Sequence, residues 1–133
     1  MKGALPDSPE FLAFWRERRL CTLTTLRPDG SPHVVPMGVV LDPADGVAWA
    51  ITSTSSRKAR NVAAAGDRGA LVAVCQVEGG RWSTVEGRAT VLDDPDVVRE
   101  AERRYAERYK VPRPNPTRVA IRIDIGRVLG NVR

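Results

Sequence analysis

The chain has 133 residues, 42% hydrophobic and 28% charged, enough for one domain spanning 1–133 with a core that needs no metal or disulfide support. It carries no apolar run near the roughly 20 residues that cross a bilayer. Its amino terminus, MKGALPDSPEFLAFWRERR, becomes charged before a signal-peptide core develops, so no membrane partner and a cytoplasmic location are expected. A net charge of +5 favours anionic partners, yet an aromatic content of 5% is thin for base stacking and the cations form no tail or stripe, which argues against nucleic acid.

Taken in chain order, residues 7–19 begin with helix-start chemistry: Asp7 or Ser8 as cap, Pro9 in the first turn, and Glu10 near the positive end of the dipole. Phe11, Leu12, Phe14 and Trp15 form its apolar stripe. From residue 20 the period becomes two. LCTLTTLR and SPHVVPMGVVL flank the turn residues Pro28, Asp29 and Gly30, and DPADG hands the chain to VAWAITS, which predicts three consecutive antiparallel strands. SRKARNVAAAG reads as a short helix with Ser55 or Ser56 as cap and Gly66 as stop.

GALVAVCQV and RWSTVEGRATVL follow as strands around a Gly-Gly turn, and residues 93–110 as an amphipathic helix capped by Asp93 or Asp94. Val98, Ala101, Tyr105 and Tyr109 make its buried face, and the Arg and Glu residues between them a solvated one. VPRPNPTR is too rich in proline for helix or inner strand. VAIRIDIGRVLG is the last strand. About six strands joined mainly by hairpins predict a mainly β fold, an antiparallel sheet curled into a barrel with peripheral helices.

Little in this chain suits nucleophilic or metal chemistry. His33 is the only histidine, so a His-rich metal site is excluded and no metal is expected. As a lone strand histidine beside a turn it reads first as structural or solvated, and second as a proton donor. Cys21 and Cys75 lie in strand-like runs without metal spacing and read as small buried hydrophobes. The stretch ITSTSSRKARNV stands out instead. It places hydroxyls at a strand-to-helix junction and Arg57, Lys58 and Arg60 just beyond them, a combination suited to phosphate. A capped helix followed by surface charges explains it equally well. In SPHVVPMG, Pro32 and Pro36 each deny the sheet a hydrogen bond; the segment is an edge strand, or a backbone edge offered to a flat heterocycle.

In this order, with LTTLRPDGSPHVVPMGVVLD, ITSTSSRKARNV, AVCQVEGGRWSTVEGRATVL and YAERYKVPRPNP, the chain resembles the split-barrel flavin and deazaflavin oxidoreductases related to pyridoxamine 5'-phosphate oxidase. It is most similar to their actinobacterial branch that uses coenzyme F420, and within it to the biliverdin-reducing group. The resemblance runs from about Phe11 to Gly130. It implies a homodimer of six-stranded antiparallel split barrels with two cofactor sites at the interface. It also implies hydride transfer from reduced F420 to a conjugated small-molecule acceptor such as biliverdin, and leaves the catalytic residues unassigned. By similarity Arg57 and Lys58 hold the cofactor phosphate, Thr52, Ser53, Ser56 and Asn61 add hydrogen bonds, and Val35, Pro36 and Met37 line the ring. Gln76 and Trp82 lie on segments that approach the cofactor of the other subunit. Arg81, Arg88 and Arg113 are candidate partners for substrate carboxylates, with plain surface charge the competing reading. F420 bears carboxylates beyond its phosphate, and the +5 charge leans towards it over FMN. An FMN-dependent oxidoreductase and a non-catalytic carrier of F420 or flavin on the same barrel are the alternatives.

Overall fold

The structure, a computed structural model, describes residues 5–133; the first four residues, part of the amino-terminal and single-domain readings above, lie outside the described residues. Helix α1 spans Pro9–Arg16 and is capped by the Ser8 hydroxyl, which accepts from Phe11 N at 3.1 Å. Its spacing puts Phe11, Phe14 and Trp15 on one buried stripe, each worth about 1.5–3 kcal/mol of burial. These rings belong to the main core together with Leu23, Val74, Val85 and Ile121.

The strands are β1 (Cys21–Leu26), β2 (Pro32–Met37), β3 (Val40–Asp42), β4 (Val47–Ser53), β5 (Ala70–Glu78), β6 (Arg81–Leu92) and β7 (Arg118–Gly130). They form one sheet in the order β2-β1-β5-β6-β7-β4-β3, and every neighbouring pair is antiparallel. The mainly β, split-barrel expectation holds, with corrections. There are seven strands rather than six, because SPHVVPMGVVL breaks at Gly38. Its first half pairs with β1 at one edge of the sheet and its second half with β4 at the other. The expected run of three hairpin strands is therefore two separate hairpins. Only Gly38 and Val39 join the two edges, so the sheet must curl, yet β2 and β3 do not pair and the barrel stays split.

Two more helices lie outside the sheet, α2 (Arg57–Ala63) and α3 (Pro95–Arg108). Ser56 caps α2 and Asp94 caps α3. Gly66 does not stop α2, which ends at Ala63; it opens a 3-10 turn, Gly66–Arg68. In β6 a bulge at Glu86/Gly87 adjusts the register to β7, and a Cβ on Gly87 would overlap the Asp124 carbonyl.

Two burial expectations are corrected. Cys21 is buried, but Cys75 is half-buried on the outer face of β5, because Val72, Val74 and Gln76 take the inward positions of the period-two alternation. Arg108 lies inside instead of on a solvated face, since its guanidinium replaces water with protein acceptors, the Glu17 and Val39 carbonyls and Gln76 Oε1. Among the described residues no helix is long and apolar enough to cross a membrane.

Candidate cofactor-binding cleft

A cleft of about 470 Å³ opens where β2, β4, α2 and the proline-rich connection meet. Met37 and Gly38 come from the end of β2, Ile51, Thr52 and Ser53 from the end of β4, and Lys58 from the first turn of α2. Leu20, Tyr105, Lys110, Pro112, Arg113, Asn115 and Arg118 complete the lining. The connection carries its prolines but is anchored. Asn115 Nδ2 donates to Ser53 Oγ at 2.9 Å while its Oδ1 accepts from Thr117 N at 3.0 Å. Arg118 donates to the Arg113 carbonyl at 2.7 Å and pairs with Glu102 at 2.6 Å.

Four cations and no carboxylate line this cleft. Arg118 is neutralised by Glu102. Among the described residues Lys58, Lys110 and Arg113 have no acidic partner within ion-pair distance. Burial pushes the Lys58 ammonium below its ordinary pKa, and no negative charge opposes the shift. Such a group gains when an anion arrives. Ser53 Oγ accepts from Asn115 and keeps its own proton to donate. Because α2 has only seven residues, the anion preference stands on side-chain charge from two segments rather than on a helix dipole. A larger groove, about 690 Å³, lies elsewhere. It mixes Arg68, Arg88 and Arg127 with Asp67, Glu86 and Asp124, so its charge is largely compensated.

Of the residues singled out from sequence, Met37, Thr52, Ser53 and Lys58 meet in the cleft. Ser56 stands behind them. Its hydroxyl accepts from Thr52 Oγ1 at 3.0 Å and Ala59 N at 3.2 Å. Arg57 is exposed at the start of α2. Val35 and Pro36 precede Met37 on β2, half-buried and exposed respectively. Asn61 is buried against β1, where its Nδ2 donates to Thr25 Oγ1 at 3.0 Å. Gln76 is also buried; its Nε2 donates to the Phe14 carbonyl at 2.7 Å and its Oε1 accepts from Arg108 at 2.7 Å. Trp82 is exposed on β6. Of the three candidate substrate arginines, Arg113 is in the cleft, Arg81 pairs with Glu78 and Arg88 borders the other groove. His33 is four positions from Met37 along β2, about 13 Å away at the usual strand rise, and is not among the lining residues. The sequence reading missed Lys110, Asn115 and Arg118. Their signal was present as a basic, proline-fixed segment, YKVPRPNPTR, but nothing local indicates that it folds over β4.

The sequence model of the family described as Pyridoxamine 5'-phosphate oxidase matches residues 8–131. An F420H(2)-dependent biliverdin reductase of Mycobacterium tuberculosis (strain CDC 1551 / Oshkosh) is 52% identical over 124 residues, 93% of this chain and 88% of that protein. Among solved structures, a conserved hypothetical protein from Mycobacterium tuberculosis superposes with a TM-score of 0.76 at 26% identity, over 98% of this chain and 88% of the other. An F420 reductase superposes with a TM-score of 0.71 at 25% identity, over 94% of this chain and 98% of the other.

Proposed function

This chain belongs to the pyridoxamine 5'-phosphate oxidase family, and from that premise we propose that it is an oxidoreductase that uses reduced coenzyme F420 to reduce a conjugated acceptor such as biliverdin. Its relative at 52% identity is an F420H(2)-dependent biliverdin reductase. The observation that carries the reading in the geometry is the cleft whose lining has no carboxylate and, besides the paired Arg118, three cations without an acidic partner among the described residues. It fits a cofactor with several anionic groups better than one with a phosphate alone. When bound, the deazaflavin supplies a hydride, and the protein supplies position and electrostatics.

Lys58, with the Ser53 hydroxyl beside it, holds the phosphate, and Arg57 reaches it from the exposed start of α2. Lys110 and Arg113 take further carboxylates. Met37 and the Gly38 backbone form the wall for the ring, with Val35 and Pro36 leading into it. Residues 1–133 work as one cofactor-binding unit, in the cytoplasm, where the free thiols of Cys21 and Cys75 suit a reducing compartment. A second copy of the chain completes the site. Leu26, Leu71, Val77, Trp82 and Leu129 are all exposed, and an apolar face of that kind supports burial against a partner. Trp82 then approaches the cofactor across the interface.

The test is titration with F420 and with FMN, followed by absorbance of reduced F420 on addition of biliverdin. Tight F420 binding and oxidation dependent on biliverdin are expected. Binding of FMN alone would overturn the cofactor, and F420 binding without turnover on any acceptor would make the protein a carrier.

A further inference from the structure

Gly38 and Val39 fall between the two edges of the sheet. The last pair of β2 is Cys21↔Met37 and the first pair of β3 is Val40↔Trp49, so neither residue belongs to a ladder. Both are nevertheless buried, and Gly38 lines the cleft together with Met37. Buried backbone outside a sheet must find other partners. Here the end of α3 supplies them. Val39 N donates to the Tyr109 hydroxyl at 3.2 Å, and the same hydroxyl donates to the Arg19 carbonyl at 2.7 Å. The Val39 carbonyl accepts from Arg108 Nη1 at 2.5 Å. Arg108 also donates from Nε to the Glu17 carbonyl at 3.0 Å and from Nη2 to Gln76 at 2.7 Å. The tyrosine rings press on the crossover as well. A Cβ at position 38 would lie 2.7 Å from the Tyr109 ring and 2.9 Å from that of Tyr105.

The chain then continues from Tyr109 into Lys110, Pro112 and Arg113, which line the same cleft. We infer that Arg108 and Tyr109 are positioning residues for the cofactor cleft: they bolt the Met37–Val39 wall to the root of the Lys110–Arg113 wall and so set its width. This role rests on the reading of the cleft as an F420 site. The residues act through the backbone they hold, and neither lines the cleft itself. A guanidinium that binds three separate segments at once, with no carboxylate partner among the described residues, is a costly device for stability alone.

The experiment uses Tyr109→Phe, which keeps the ring on Gly38 and removes only the hydroxyl. Amide exchange of the unliganded protein is read residue by residue, and binding and turnover are then measured with F420. The expected result is about fivefold faster exchange at Val39, the loss of one ordinary hydrogen bond. The KM for reduced F420 should rise by a similar factor, with kcat at saturation held. Faster exchange with an unchanged KM would make the bond merely structural and overturn the positioning role; unchanged exchange would overturn the clamp itself. Should Tyr109→Phe fail to fold, Arg108→Lys, which keeps the charge but not the fork and loosens the Val39 carbonyl rather than its N–H, is read on KM and kcat alone: a raised KM for reduced F420 with kcat held is the expected result, and an unchanged KM would overturn the positioning role. Failure of the wild-type protein to bind F420 would overturn the function and the positioning role together, while exchange at Val39 would still decide the clamp.

Discussion

Replacing Lys58 by methionine separates binding from stability in opposite directions. The side chain is half-buried in the cleft, burial lowers its pKa, and no carboxylate offsets the cost. In the free protein the charge is therefore a burden. A lysine whose folded pKa lies below its ordinary value of about 10.4 costs stability at lower pH, a cost relieved as pH rises through the folded pKa. Methionine keeps the volume and removes the charge. Lys58→Met should thus melt at or above the wild-type temperature at neutral pH without ligand. With F420 it should lose one charge-assisted hydrogen bond, about 2 kcal/mol or about 30-fold in Kd, and its affinity should depend less steeply on salt. Fluorescence titration at two ionic strengths and a thermal melt read all three effects. A lower melting temperature with unchanged Kd would refute the reasoning, because it would make Lys58 a structural residue.

Two further predictions concern the fold. Gly87→Ala places a Cβ against the Asp124 carbonyl, 2.8 Å from its carbon and 3.0 Å from Ile125 Cα; main chain cannot yield as a side-chain end does, so a loss above about 3 kcal/mol in urea unfolding, or insoluble protein, is expected. A wild-type midpoint would refute the bulge. Burial pushes the Cys21 thiol and the Tyr109 hydroxyl above their ordinary values, so the stability linked to them is full below about pH 8.5 and is lost as pH rises through the folded values. Lys58 acts in the opposite sense but is more exposed than Cys21, so the urea midpoint should fall between about pH 8.5 and 10.5, and less steeply in Cys21→Ala. A flat wild-type profile would refute this balance.

Much of the fold was legible because its signals are local. Ser8-Pro9, Ser56 and Asp94-Pro95 announce the helix starts, and alternation marks the strands. The basic cleft was half legible for the same reason: TSTSSRK places hydroxyls and cations side by side in the chain. Its other half, Lys110, Arg113 and Asn115, lies 52 to 57 positions beyond Lys58 in the chain. Only the pairing of β4 with β7 and the bond from Asn115 to Ser53 bring it back.

The sequence by itself determined the class of fold, the order of its elements and the clustering of hydroxyls and cations around the start of α2, since propensity, periodicity and charge need no partner to act. Tertiary structure decided the rest. SPHVVPMGVVL reads as one strand because alternation carries no information about which neighbour it meets. Arg108 reads as solvent-facing because its acceptors, the Glu17 and Val39 carbonyls and Gln76, lie 91, 69 and 32 positions away. The break at Gly38 and the burial of Arg108 are one event: where the sheet turns from one edge to the other its ladders stop, and the end of α3 supplies the hydrogen bonds that the missing strand would have made.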